Sequence, residues 1–206
     1  MCIRDRHYYV SSEIDVTGLT NWLERENTER PVADRLLYAV PLFHVLARTL
    51  KEVPELNGHY EKEKFSPAET VNAGIAIAMR GGGLVAPAIE DVAGKTIDDL
   101  RKSLADIVAR VRRGRLRRSE LSNATITFSN LGERTADTLL PIIYPPQVAI
   151  IGCGRIASRP WVNDGQVRVR KVMSVTVAGD HRVSDGRTAA RYLSRVEEQL
   201  AQLEDE

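Results

Sequence analysis

Asp180-His181-Arg182-Val183-Ser184-Asp185-Gly186 decides how this chain of 206 residues is read. Upstream, Lys171-Val172-Met173-Ser174-Val175-Thr176-Val177 is apolar and β-branched and is bounded by Ala178-Gly179, which is the composition of a strand. Downstream, Ala189, Tyr192, Leu193, Val196, Leu200 and Leu203 recur at helical spacing, so an amphipathic helix follows. A histidine at a strand-to-helix turn, with a carboxylate four residues on, is held from both sides, as a general base must be. The same residues also fit a plainer reading. Asp185 sits where a helix N-cap belongs, and His181 then serves only the structure.

Composition bounds the rest. A chain of 206 residues fits one large domain with a substantial core. With 29 basic and 28 acidic residues the net charge is +1, so no global field points to nucleic acid or to a membrane. Cys2 and Cys153 make no disulfide framework, no Cys/His cluster suggests a metal, and a reducing cytoplasm is the expected compartment. The longest apolar run, from Leu36 to Ala47, is interrupted by Pro41 and His44 and is too short to span a bilayer. Residues 1–6 have no hydrophobic core of a signal peptide, fit nothing that follows, and are expected to be a non-native or disordered leader.

From His7 to Val16 the sequence alternates like a half-buried strand. Thr17 or Thr20 is the expected cap of a short helix through Trp22 and Leu23. Arg35 to Val53 reads as one strongly apolar helix, in which Pro41 is tolerable only near the first turn and His44 is expected in the core. Asn72–Met79 and Leu84–Ile89 read as two strands around Arg80-Gly81-Gly82-Gly83. No helix follows these glycines and no Lys-Ser/Thr closes them, so a hairpin turn is expected rather than a phosphate loop; Pro87 then confines the second strand to an edge or a bulge. Thr96 caps a helix whose stripe is Ile97, Leu100, Leu104, Ile107, Val108 and Val111. The run Arg112-Arg113-Gly114-Arg115-Leu116-Arg117-Arg118 fits either phosphate recognition or a basic helix C-terminus followed by a solvated loop. Ala124–Gly132 reads as a strand ending in a turn, with Ser129 near its end. Cys153 is expected buried rather than reactive, and Arg155 to Asp164-Gly165 forms a hairpin back to the strand before His181.

His181, Asp185 and Gly186 resemble the His-x-x-x-Asp-Gly signature of the dihydrolipoamide acyltransferases, the core components of 2-oxo acid dehydrogenase complexes. Chloramphenicol acetyltransferase shares that signature. The phrase at Pro54–Gly58, the hairpin around Gly81–Gly83, the strand Ala124–Gly132 and the stretch Pro141–Gly152 are similar to the same family. The resemblance spans about residues 7 to 203, although the family's initial helix is missing and the segment 133–140 departs from the commoner pattern. It implies an α/β, two-layer fold of the chloramphenicol acetyltransferase type, with helices packed on a mixed sheet, over a catalytic domain at residues 7–206.

The resemblance also implies the chemistry. Acyl groups would pass between a dihydrolipoyl thioester and coenzyme A, with His181 as base, Ser129 as oxyanion donor and Asp185 holding the turn. Coenzyme A would be a substrate, the lipoyl group would arrive on a separate domain, and no metal or tightly bound cofactor is implied. The implied partners are a homotrimer or larger core assembly, a lipoyl domain, and the 2-oxo acid decarboxylase and dihydrolipoamide dehydrogenase components. The sequence in hand contains no lipoyl domain, so either a catalytic piece of a longer protein or a naturally short relative is expected. A free-standing acyltransferase acting on a small hydroxyl or amine acceptor and a non-catalytic scaffold of the same fold are the alternative readings, with a nucleic-acid binder as a third that rests on the arginine run alone.

Overall fold

A computed structural model describes residues 7–79, 81–132, 136–163 and 165–203. The expected leader at residues 1–6, Arg80, Asp164 and the first part of the divergent segment 133–140 lie outside the described residues. In chain order the elements begin with β1 (His7–Asp15), α1 (Thr17–Glu29) and α2 (Ala39–Leu50). Six short strands follow: β2 (Gly58–Glu61), β3 (Lys64–Pro67), β4 (Ala73–Ile75), β5 (Ile77–Ala78), β6 (Leu84–Val85) and β7 (Ala88–Ile89). Next come α3 (Ile97–Arg112), α4 (Arg118–Ser122), β8 (Ile126–Asn130), β9 (Ala149–Cys153), β10 (Ala157–Asn163), β11 (Gln166–Asp180) and α5 (Gly186–Gln202).

One seven-stranded mixed sheet carries the fold, in the order β1-β11-β9-β8-β4-β7, with β10 paired to the outer half of β11. The pairs β4–β8 and β8–β9 are parallel and the others antiparallel. Alternation divides β11 between two environments. Met173, Val175 and Val177 join Phe128, Ile151 and the apolar residues of α2, α3 and α5 in the main core. Ser174, Thr176 and Ala178 face the other side, where Ser11 Oγ lies 3.0 Å from Ser174 Oγ and 2.9 Å from Thr176 Oγ1. This is the two-layer α/β arrangement expected from the sequence.

α5 buries Ala189, Tyr192, Leu193, Val196 and Leu200, the residues that set its spacing. α3 begins where Thr96 Oγ1 accepts from the Asp99 amide at 3.1 Å and buries Leu100, Leu104, Ile107 and Val111. Burying one such aliphatic side chain stabilises by about 1.5–3 kcal/mol, so these stripes hold the helices to the sheet.

Several local expectations need correction. Neither Thr17 nor Thr20 caps α1; its N-cap is Val16 without a side-chain bond, while Asp15 accepts from the Thr17 amide at 2.9 Å. The helix expected from Arg35 to Val53 is confined to Ala39–Leu50. Pro41, having no amide hydrogen and a fixed φ, tolerates only about one helical turn before it. His44 is half-buried at a cleft that also holds Trp22, Arg48 and Arg195, not in the core. The two strands around the glycines are each split: β4 and β7 stay in the main sheet, and β5 and β6 form a separate two-stranded ladder. Gly81, Gly82 and Gly83 all have positive φ and Met79 N donates to Gly83 O at 3.0 Å, the geometry of a turn. β7 is the sheet's edge, as Pro87 beside it requires.

Candidate active site

The turn after β11 is fixed by backbone. Asp180 N donates to Val148 O at 2.8 Å, and Val183 N and Ser184 N donate to Asp180 O at 2.9 and 3.1 Å. The Asp180 side chain is buried and paired with Arg182, whose guanidinium lies 4.2 Å from the centre of the Tyr60 ring. Burial works to raise the Asp180 carboxyl, but hydrogen bonds from the Arg182 side chain and amide outweigh it and hold the group below the ordinary carboxylate range. An ion pair thus braces the turn from below.

His181 stands on this support and is exposed. Its ring meets Tyr8 edge to face, with centroids 5.2 Å apart and planes at 71°. Among the described residues neither imidazole nitrogen has a hydrogen-bond partner, so both remain available to a substrate. Asp185 is the N-cap of α5: its carboxylate accepts from Thr188 N at 2.9 Å and from Thr188 Oγ1 at 3.1 Å. Those bonds, the backbone one first, lower its pKa. Among the described residues it makes no hydrogen bond to His181, so any effect on the base passes through the turn.

Ser129 lies near the end of β8, half-buried, with its hydroxyl unpartnered among the described residues. Register puts it in a row with Gly152 of β9, Thr176 of β11 and Ser11 of β1, on the sheet face away from the helices. The turn beyond it is shaped by Asn130, whose Oδ1 accepts from Tyr38 Oη at 3.0 Å and from Gly132 N at 2.9 Å.

His181 and Asp185 share one turn, but Ser129 is not near them. From Thr176, in the Ser129 row, five residues of β11 lead to His181 (181 − 176 = 5), about 16 Å at strand rise. Two strand spacings across the sheet add about 10 Å at right angles. The two backbones are therefore about 19 Å apart within one chain.

The remaining candidates are accounted for. Cys153 is fully buried, and desolvation pushes its thiol up to about 12, which leaves no reactive thiolate. In the arginine run, Arg112 closes α3, Arg117 caps α4 with Glu120, and Arg112, Arg113, Arg115, Arg117 and Arg118 are exposed. This arrangement fits the basic helix C-terminus followed by a solvated loop. Among the described residues no cluster of His, Cys, Asp and Glu could hold a metal, and no helix is long and apolar enough to cross a membrane. Tyr8 and Ser184, which flank His181, were not singled out by sequence; a tyrosine in an alternating strand carries no signal until the strand pairing is known.

Comparison with known proteins agrees with this architecture. Residues 5–205 match the family model of 2-oxoacid dehydrogenases acyltransferase (catalytic domain). The lipoamide acyltransferase component of the branched-chain alpha-keto acid dehydrogenase complex of Pseudomonas putida is 31% identical over 201 residues, 97% of this chain and 48% of that protein. The chain therefore spans about half the length of the curated relatives it matches. A solved structure of Azotobacter vinelandii dihydrolipoamide acetyltransferase has a TM-score of 0.91 and 26% identity, covering 98% of this chain and 84% of that one. That work concerns the role of a serine, a histidine and an asparagine in its catalytic mechanism. A cubic core of the pyruvate dehydrogenase multienzyme complex matches with the same TM-score, identity and coverage. Chloramphenicol acetyltransferase, at 12% identity and a TM-score of 0.65 over 96% of this chain and 89% of that one, shares the fold.

Proposed function

Because the chain belongs to the family of 2-oxoacid dehydrogenase acyltransferase catalytic domains, we propose that it transfers an acyl group between a dihydrolipoyl thioester and coenzyme A. One observation carries the assignment of residues. In the Azotobacter vinelandii enzyme the serine precedes the histidine by 52 residues and the asparagine follows it by four. Here Ser129, His181 and Asp185 keep both intervals (181 − 129 = 52; 185 − 181 = 4). Aspartate in place of asparagine preserves an acceptor able to cap α5.

The chemistry follows from the groups. A free thiol with a pKa of about 8.5 is mostly protonated at neutral pH and is a poor nucleophile in that form. His181 takes the proton from the attacking thiol, and the sulfur adds to the thioester carbonyl. The carbonyl electrons move to oxygen, and Ser129 donates a hydrogen bond to that oxyanion. Collapse expels the second sulfur, which recovers the proton from the imidazolium. A base of this kind contributes roughly 10²–10⁴-fold.

Base and oxyanion donor must each come within about 3 Å of the same reacting centre. The separation of about 19 Å within one chain supports a site shared between subunits, with Ser129 of one facing His181 of the next. A closed cyclic trimer joined head to tail supplies such pairs at every boundary. The partners this implies are a lipoyl domain as acyl carrier, the 2-oxo acid decarboxylase and dihydrolipoamide dehydrogenase, and a trimer or larger core in the cytoplasm.

A panel of acyl-CoA donors assayed against free dihydrolipoamide and against simple alcohols and amines tests the reading. The thiol acceptor should dominate, and His181→Ala should abolish transfer while leaving fold and assembly intact. Preference for an alcohol or amine would replace the acceptor, and no transfer to any of them would leave a scaffold of the same fold.

A further inference from the structure

Tyr8, Val10 and Ile14 of β1 face the helices, and Tyr8 stands in register with Gly179 of β11. A Cβ on residue 179 would fall 2.4 Å from Tyr8 Cζ and 2.5 Å from its hydroxyl oxygen. Only glycine leaves room for the ring to lie across its cross-strand neighbour. From that seat the ring reaches past the end of β11 to the edge-to-face contact with His181. Its hydroxyl lies 2.8 Å from Ser184 Oγ, and Ser184 is itself buried, 8% exposed, between His181 and the Asp185 cap. Burial comes first among the effects that raise the Tyr8 phenol above its ordinary pKa, so it stays neutral and able to donate.

We propose that Tyr8 is a positioning residue for His181: its hydroxyl bond to Ser184 ties β1 to the turn and keeps the ring against the imidazole in one orientation. The inference rests on the reading of His181 as the base. Asp185 and the Asp180–Arg182 pair fix the backbone on either side of the turn, and among the described residues Asp185 makes no hydrogen bond to the imidazole. The Tyr8 ring meets the imidazole directly. An exposed histidine with no hydrogen bond at either nitrogen would otherwise sample several rotamers, and only those aimed at the thiol are productive. The Ser184 hook costs the base none of its nitrogens.

Tyr8→Phe keeps the ring and removes the hook, and Ser184→Ala removes the same hook from the other end. Each should lower kcat by roughly two- to tenfold, the effect of one net hydrogen bond, with KM for both substrates nearly unchanged. The double variant should be no worse than either single one, because all three lack the same bond. The sequence holds four histidines, so ¹⁵N-histidine NMR can follow the His181 ring. Its signals should shift alike in both single variants. Unchanged kcat in both variants, a multiplicative double variant, or an unmoved His181 signal would each overturn the inference. A purely structural role would lower the melting temperature while leaving that signal in place. If His181→Ala remained active, the reading of the base would fail instead, and the NMR arm would still decide whether Tyr8 orients the ring.

Discussion

Two inactive variants, His181→Ala and Ser129→Ala, should recover activity when they share a trimer. Ser129 sits in the row of Thr176, while His181 lies five residues further along β11 and two strands away. At about 3.3 Å per residue and about 4.8 Å per strand the backbones are about 19 Å apart. Each of the two side chains must approach the reacting carbon to within about 3 Å, so one chain cannot supply both to one centre. In a head-to-tail trimer each boundary pairs Ser129 of one subunit with His181 of the next. Round any mixed ring, one boundary joins an intact serine to an intact histidine. Random equal mixing makes about three-quarters of the trimers mixed, each with one site in three restored, so about a quarter of wild-type activity returns.

The assay is the rate of acyl transfer to dihydrolipoamide after the two proteins are dissociated and reassembled together, with subunit exchange checked by native mass spectrometry. Selecting mixed trimers through two different affinity tags should raise the recovery to about one-third. If exchange is complete and no activity returns, the shared site is wrong, since a site built within one chain would lack a residue in every subunit.

In homogeneous form, Ser129→Ala should lower kcat by roughly 10²–10³-fold with a modest change in KM, because the oxyanion exists only in the transition state; near-normal kcat would remove Ser129 from the mechanism. Asp185→Ala should lower both activity and melting temperature. The folded-state pKa of Asp185 is depressed, so its stabilisation is present above the unfolded value and fades as pH falls through the folded one. The difference in melting temperature from wild type should therefore shrink below about pH 4, and a constant difference down to pH 2 would show that the carboxylate charge is irrelevant. Arg182→Met strands the buried Asp180 carboxylate and should cost about 3 kcal/mol by urea unfolding at neutral pH; pairing it with Asp180→Asn should return part of that loss, and a strictly additive pair would deny the ion pair its role.

Periodicity carried the elements whose burial repeats. The stripe from Ala189 to Leu203 and that from Ile97 to Val111 are legible because each apolar residue marks the same helix face; all are buried except Leu203, Ile97 and Val108, which are partly buried against the core. Signals that depend on a single local competition fared worse. Thr17 looked like a cap, but it lies inside the first turn, where its own amide and hydroxyl both donate to Asp15. The apolar run from Leu36 looked helical throughout, yet Pro41 sets a hard start at Ala39. The split of the glycine hairpin into two ladders depends on which strand β4 pairs with, β8 on one side and β7 on the other, and neither partner is named by local sequence.

The site divides along the same line. His181, Ser184 and Asp185 are adjacent in sequence, so a strand, a turn and a helix cap suffice to bring them together. Ser129 and Tyr8 are joined to that turn only by pairing across the sheet, and pairing acts on them in opposite ways. The antiparallel register of β1 with β11 brings Tyr8, distant by 173 residues (181 − 8), into ring contact with His181. The parallel pairing of β8 with β9, followed by the antiparallel step to β11, sends the end of β8 back along β11, away from its His181 end. A constant interval of 52 residues is thus compatible with a large separation inside one chain. On the proposed mechanism, a fold that keeps that interval makes a working site when a second copy presents its own turn to the end of β8. On that reading the serine needs a neighbour and the tyrosine does not.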